Sequence, residues 1–223
     1  MMNQVLRVLN WTTCLVYLDG IVVFTRGGIE RHELELATVL ERLSMAGLTL
    51  KLKKCRFAMR SMEYLGHELS DEGVQPLHRL VTAVQGLHRP RDAVEVKRFV
   101  HLAGYYTRFV EGFGSMMAPL TKLLRTDAEW QWTEAQEAAF GQIKMILTTR
   151  PLLVYPNFQL PFRVVTNAST IGLGACLMQD KGSGWQPVAY ASKVNSDTEA
   201  KYRITELECV AVVWAVKLFR PYL

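Results

Sequence analysis

Asp19-Gly20 is the pair whose setting offers chemistry most directly in this 223-residue chain. It lies between two β-branched and aromatic runs, in Cys14-Leu15-Val16-Tyr17-Leu18-Asp19-Gly20-Ile21-Val22-Val23-Phe24. Asp-Gly between apolar runs predicts a hairpin with a type I′ turn, because both central residues of that turn need φ > 0. Such a turn displays a carboxylate at its tip, where a divalent cation could share it. The alternative for Asp19 is a plain turn residue. A second candidate is the basic stretch holding Lys51, Lys53, Lys54, Arg56 and Arg60. It can meet phosphates, or it can be a solvated charged face. Cys14, Cys55, Cys176 and Cys209 stand far apart, without a C-x-x-C pair, and the histidines lack metal-ligand spacing. This excludes a zinc or disulfide framework and points to a reducing compartment, with the cysteines as small buried apolar residues.

The elements that must position these groups follow from periodicity. After the hairpin, Arg26-Gly27-Gly28 is a breaker. Leu36, Leu40 and Leu43 then predict a helix closed by Gly47. Glu63 to Leu69 reads as a short strand ending at Ser70-Asp71-Glu72-Gly73, with a boundary near Pro76. Asp92-x-x-Glu95 is a capping-box pattern opening a helix that carries Phe99, Ala103, Tyr106 and Val110 on one face, ended by Gly112 and Gly114. Thr133-x-x-Gln136 opens another, with Phe140, Ile143 and Leu147 buried. Pro151, Pro156 and Pro161 mark the change to three strands, at 162–167, 172–179 and 186–192. Gly172 and Gly174 lack the spacing and following Lys-Ser/Thr of a phosphate loop. Thr205-x-x-Glu208 opens a last helix, with Cys209, Val212, Val213, Val216 and Phe219 expected on its buried face.

The net charge of +5 and pI near 9.1 permit an anionic partner without establishing one. With 49% hydrophobic and 21% charged residues the chain is globular rather than disordered. No signal peptide opens it and no apolar run approaches the ~20 residues of a membrane span. An intracellular protein is expected, cytoplasmic or nuclear and not secreted.

The order of motifs resembles the pol polyprotein of gypsy-type LTR retrotransposons over essentially the whole chain. The residues carrying the likeness begin with Val16 to Phe24, Ala46-Gly47-Leu48, Lys53-Lys54-Cys55 and Tyr64-Leu65-Gly66-His67. They continue with Leu102-Ala103-Gly104-Tyr105-Tyr106-Thr107-Arg108-Phe109, Ala118-Pro119-Leu120-Thr121 and Trp132-Thr133. Thr166-Asn167-Ala168-Ser169, Val188 to Ser192 and Glu208 to Ala215 complete the series. The resemblance implies an α+β fold: part of a reverse-transcriptase palm (1–75), a helical thumb (76–128), a connection (129–160) and the first half of an RNase H-like α/β domain (161–223).

It also implies roles. Polymerases of this family hold two divalent ions, Mg²⁺ or Mn²⁺, about 3.5–4 Å apart on converging carboxylates. Asp19 matches the first of two adjacent acids on the hairpin, and Gly20 stands where the second would be. The upstream strand that supplies a third is expected to be missing, because only eighteen residues precede Asp19. Lys54, with Lys53 beside it, matches a lysine that meets the departing pyrophosphate. Tyr64-Leu65-Gly66-His67 resembles a hairpin that positions the primer 3′ end. The helix from Val94 to Phe109 resembles the one that tracks the duplex minor groove, with Lys97, Arg98 and Arg108 available for phosphates. In the RNase H-like part, Asn167 occupies a first-carboxylate position and Glu208 matches the second. Glu208 can equally serve its helix start as the partner of Thr205.

The implied function is RNA-directed DNA synthesis on an RNA/DNA primer-template, with other pol-derived chains as possible partners. One expectation is a truncated polypeptide not active alone. The alternatives are a non-catalytic nucleic-acid-binding remnant and the reading frame of a decayed element.

Overall fold

The computed structural model describes every residue except Met1 and Arg26, so the breaker reading at 26–28 falls partly outside the described residues. Two compact units, Met1–Met59 and Arg60–Leu223, make up the chain. No helix in the described residues is long and apolar enough to cross a membrane.

The first unit opens with a short helix α1 (Met2–Val5), then the antiparallel pair β1 (Cys14–Tyr17) and β2 (Gly20–Val23). A longer helix, α2 (Ile29–Met45), follows, and then a single 3₁₀ turn over Leu52–Lys54. Leu6, Cys14, Val39 and Leu43 form its core, with Val16, Ile21, Val23 and Leu48 packed around them. Gly47 ends α2 as expected. Its φ is +70°, its N–H bonds Ser44 O, and the Leu48 N–H reaches back to Leu43 O. That is a Schellman closure, which needs a left-handed residue after the helix.

The second unit contains two three-stranded antiparallel sheets and most of the helices. β3 (Ser61–Tyr64), β4 (His67–Ser70) and β5 (Val74–Pro76) lie in sequence order. The single strand expected from 63 to 69 is therefore a hairpin, turned at Leu65-Gly66. Four helices follow: α3 (His78–Gln85), α4 (Ala93–Gly104), α5 (Phe113–Lys122) and α6 (Glu134–Thr148). Asp92 caps α4 by accepting from Glu95 N at 2.8 Å, and Thr133 with Gln136 completes the capping box of α6. The stripe Phe99, Ala103, Tyr106 and Val110 is buried as read. It does not sit on one continuous helix, however, because α4 stops at Gly104 and a 3₁₀ turn over Thr107–Phe109 carries the rest. Gly112, at φ +63°, starts α5 rather than ending a helix. α3 and α5 were not legible in the periodicity.

The second sheet is β6 (Phe162–Ala168), β7 (Gly172–Asp180) and β8 (Trp185–Val194), with β7 central. Helix α7 (Ile204–Phe219) packs on it. Its buried residues are Leu207, Ala211, Ala215 and Phe219. Of the expected face only Phe219 is buried; Cys209, Val212, Val213 and Val216 are exposed. The helix is apolar nearly all round, so periodicity cannot choose a face, and the alanine stripe wins because small residues let helix and sheet approach.

Two successive residues tie the sheets together. Leu153 exchanges both backbone hydrogen bonds with Val74 (2.8 and 2.9 Å), and Val154 N–H bonds Pro187 O at 2.9 Å. Gly73 lies so close that a Cβ there would collide with the Leu153 carbonyl, and its φ is +154°. Gly73→Ala should therefore cost at least ~2 kcal/mol in urea unfolding. Gly141→Ala is the opposite case, an exposed position in α6 with nothing within 4 Å of the added Cβ. It should stabilise by about 0.5–1 kcal/mol.

Candidate nucleic-acid interface

In the first unit the β1–β2 hairpin closes on the pair Tyr17↔Gly20, so the loop residues are Leu18 and Asp19. Leu18 takes the left-handed backbone, at φ +54°, while Gly20 lies in β2 without a positive φ. The loop thus lies one residue before the expected Asp-Gly pair and is not type I′, because Asp19 does not take a positive φ. A leucine at positive φ costs about 1–2 kcal/mol relative to right-handed backbone, and such strain gathers where a side chain must be aimed. Leu18 is 78% exposed, so apolar burial does not offset that cost. Asp19 is exposed at the tip. A Cβ at Gly20 would meet only Tyr17 O, at an ordinary 3.4 Å. An acid therefore fits there without backbone strain.

Lys53 and Lys54 sit on the 3₁₀ turn, and the whole stretch from Lys51 to Arg60 is exposed except Cys55. Exposed Leu52 and Phe57 are interleaved with these cations. That combination suits a phosphate backbone with flanking bases.

In the second unit Tyr64↔His67 closes the β3–β4 turn. Leu65 (φ +45°) and Gly66 (φ +71°) are both left-handed, so the type I′ hairpin of this chain lies here. Leu65 O accepts from His67 Nδ1 at 2.7 Å and from the Tyr105 hydroxyl, while Gly66 O accepts from the Tyr106 hydroxyl at 3.0 Å. A carbonyl only accepts, so His67 Nδ1 carries the proton; Nε2 is buried with no partner. The His67 ring stacks on Tyr105 (5.2 Å) and on Phe109 (5.4 Å). Burial, with a smaller contribution from Arg108, holds the His67 pKa below its ordinary value although the Leu65 hydrogen bond acts upward. Burial pushes the Tyr106 phenol up to about 12, so it remains a donor. Lys97 and Arg98 are exposed on α4, across from Val96 and Phe99. From sequence alone Tyr105 has no role and Tyr106 is only core; the positive φ at Leu65 is the missing signal, and it is not visible in residue types.

In the RNase H-like part Asn167 is exposed on β6 opposite Gly174, and Glu208 is exposed on α7. The expected partnership of Glu208 with Thr205 at the helix start is not formed. The helix begins two residues earlier than that pattern requires, and Arg203 N–H donates to Glu206 Oε2 at 2.8 Å instead. Glu208 is left without a capping role. Cys209 is exposed and Cys55 half-buried, so only Cys14 and Cys176 are buried as expected; all four are free.

Profiles of known families match two stretches. Residues 1–69 match reverse transcriptase (RNA-dependent DNA polymerase), and residues 132–223 match an RNase H-like domain found in reverse transcriptase. The retrovirus-related Pol polyprotein from transposon 297 of Drosophila melanogaster is 35% identical over 100% of this chain and 21% of its own length. That from transposon gypsy of the same organism is 30% identical over 100% of this chain and 22% of its own length. Over its whole length the chain is similar to the Pol polyproteins of LTR retrotransposons, with one reverse-transcriptase stretch and one RNase H-like stretch. It spans about a fifth of the length of these relatives. Among solved structures, the foamy viral protease-reverse transcriptase dRH in complex with ds DNA superposes with a TM-score of 0.86 at 25% identity, over 99% of this chain and 38% of that one. The foamy viral protease-reverse transcriptase in complex with RNA/DNA hybrid has a TM-score of 0.83 at 24% identity, over 99% and 30%. The α+β fold is that of these polymerases.

Reverse-transcriptase and RNase H families use divalent metals, and a pair of such ions needs several converging oxygens. Among the described residues no three His, Cys, Asp or Glu side chains come together. Those residues by themselves do not fit the ion pair.

Gly20→Asp should change stability by less than about 0.5 kcal/mol, and Leu18→Asn should raise it by about 0.5–1 kcal/mol, because Asn tolerates the left-handed backbone; urea unfolding of the two variants checks both. Folding lowers the His67 pKa, so on acidification through the unfolded value near ~6.5 the unfolded chain takes up the proton first. Its contribution is complete above that pH and declines as the pH falls below it. The urea midpoint should drop between pH 7.5 and pH 5.5 by more in the parent than in His67→Phe; equal drops would exclude His67 as a source.

Proposed function

We propose that this chain grips a primer-template duplex as the palm hairpin, thumb and connection of an RNA-directed DNA polymerase, followed by an RNase H-like fold. The divisions are 1–75, 76–128, 129–160 and 161–223, in an intracellular protein, cytoplasmic or nuclear. One observation carries the reading: 99% of the chain superposes on a reverse transcriptase whose structure is a complex with ds DNA. The chemistry of the surface agrees with it. Lys53, Lys54, Lys97 and Arg98 all present free-standing cations to solvent. Leu65 and Gly66 form a rigid tip, and His67 is packed beneath it.

Synthesis on such a duplex requires the primer hydroxyl to be held in line with the incoming phosphate, and the leaving pyrophosphate to be neutralised. Lys54 supplies a cation for the second task, and the Leu65-Gly66 tip a fixed surface for the first. Asp19 offers one carboxylate for metal, and Gly20 and Asn167 offer none. The described residues thus provide binding and orientation more completely than they provide metal ligands.

Binding of a labelled RNA/DNA primer-template should weaken linearly in log–log salt titration. Lys54→Glu and Arg98→Glu should each weaken binding and reduce the slope by about 1. Binding indifferent to salt would overturn the proposal. Primer extension with Mg²⁺ or Mn²⁺ should stay at background for the chain alone; incorporation above it would refute the incomplete metal site.

A further inference from the structure

The Leu65-Gly66 turn has a shape its own sequence does not favour. Two-residue type I′ turns take Asn-Gly or Asp-Gly, because both positions are left-handed. Here a leucine occupies the first, at φ +45°. It is 46% exposed, so it is not held by burial. One bond that holds it is local, from His67 Nδ1 to Leu65 O at 2.7 Å, and two come from 40 residues away in sequence. The Tyr105 hydroxyl donates to Leu65 O, and the Tyr106 hydroxyl to Gly66 O at 3.0 Å. The two adjacent side chains differ in setting. Tyr106 is 1% exposed and sits in the main apolar core, whereas Tyr105 is 51% exposed. His67 lies stacked on Tyr105, with its ring 5.8 Å edge-on from Tyr106. Gly66 completes the fit, since a Cβ there would stand 2.8 Å from both Cε1 and the hydroxyl oxygen of Tyr105.

We infer that Tyr105 and Tyr106 are positioning residues for primer binding: their hydroxyls clamp the Leu65-Gly66 turn in its left-handed form, so that Leu65 is presented outward to the primer strand. Tyr106 is the fixed anchor in the core. Tyr105 is the half-exposed latch that completes the hold on Leu65. Both hydroxyls spend their protons on backbone carbonyls of the turn, so they act on nucleic acid through the turn's shape. The inference rests on the primer-template reading above, but the shape of the turn can be read without nucleic acid.

The test uses the full chain and Tyr105→Phe, which keeps the half-exposed ring and removes only the hydroxyl; Tyr105→Phe/Tyr106→Phe is the stronger variant. The first readout is the strong intraresidue amide–Hα NOE of Leu65 that marks a left-handed backbone. It should weaken in Tyr105→Phe. It should return in Leu65→Asn/Tyr105→Phe, because Asn-Gly forms this turn unaided. An NOE unchanged in both tyrosine variants overturns the clamp. The second readout is affinity for a primer-template with a recessed 3′ end against a blunt duplex of equal length. Tyr105→Phe should lose roughly five- to tenfold on the recessed substrate, the equivalent of one hydrogen bond, and little on the blunt one. Equal losses on both, or none, overturn the link from clamp to primer. A parent chain that binds neither duplex overturns the primer-template reading itself, while the NOE result still decides whether the tyrosines hold the turn.

Discussion

Leu153 and Val154 are the constraint on which the second unit depends. One residue hydrogen-bonds the edge of the β3–β5 sheet, the next hydrogen-bonds β8, and Leu153 is itself buried in the main core with Phe99, Phe140, Ile143 and Leu147. A two-residue stitch of this kind leaves no slack. The hairpin sheet, the helical core and the RNase H-like sheet are registered to each other through backbone atoms rather than through side chains that could repack. Arg150, three residues upstream, adds to it by pairing with Glu68 on β4 and donating to Pro76 O at 3.3 Å. Tyr106, which reaches Gly66, belongs to that same core, so the hairpin is held at its base and at its turn.

Both hairpins place a leucine where the backbone is left-handed, Leu18 in the first unit and Leu65 in the second. They handle the cost differently. Around Leu65 three donors converge on two carbonyls, and neighbouring rings pack the turn. Leu18 is 78% exposed, with Asp19 beside it. Strain over-determined by its surroundings marks a shape being held; strain left exposed beside an acid marks a side chain being aimed. The two turns are also where residue type misleads. Gly20 reads as the positive-φ residue of a turn, yet it pairs with Tyr17 inside the ladder.

What was legible in the sequence was whatever depends on local periodicity and capping. The β1–β2 hairpin, the Thr133–Gln136 box, the Gly47 stop and the three strands of the second sheet all appear close to where spacing places them. Three of the features that were not legible show why. The register of the first turn is set by which residues pair, and Val16, Tyr17, Ile21 and Val22 pack acceptably with the loop shifted by one. Helix α5 carries Gly112, Gly114 and Pro119 at or near its start and interior, so its composition reads as a break although its packing makes a helix. The buried stripe of α7 is made of alanines, which periodicity weighs less than the valines beside them. The candidate site divides the same way. Its cations and its acid are visible as residue types, whereas the hold on Leu65 exists only once residues 40 apart in sequence meet.

The face of α7 that the alanines leave outside has a consequence for handling the protein. Val212, Val213 and Val216 form an apolar strip in water, and β6, at the edge of its sheet, also exposes Val165. A net charge of +5 keeps molecules apart at low ionic strength. Raising salt screens that repulsion while leaving the apolar strip untouched. The colloidal state of a preparation therefore changes along the same axis as its electrostatic contacts, and concentrated solutions self-associate first where the buffer is saltiest.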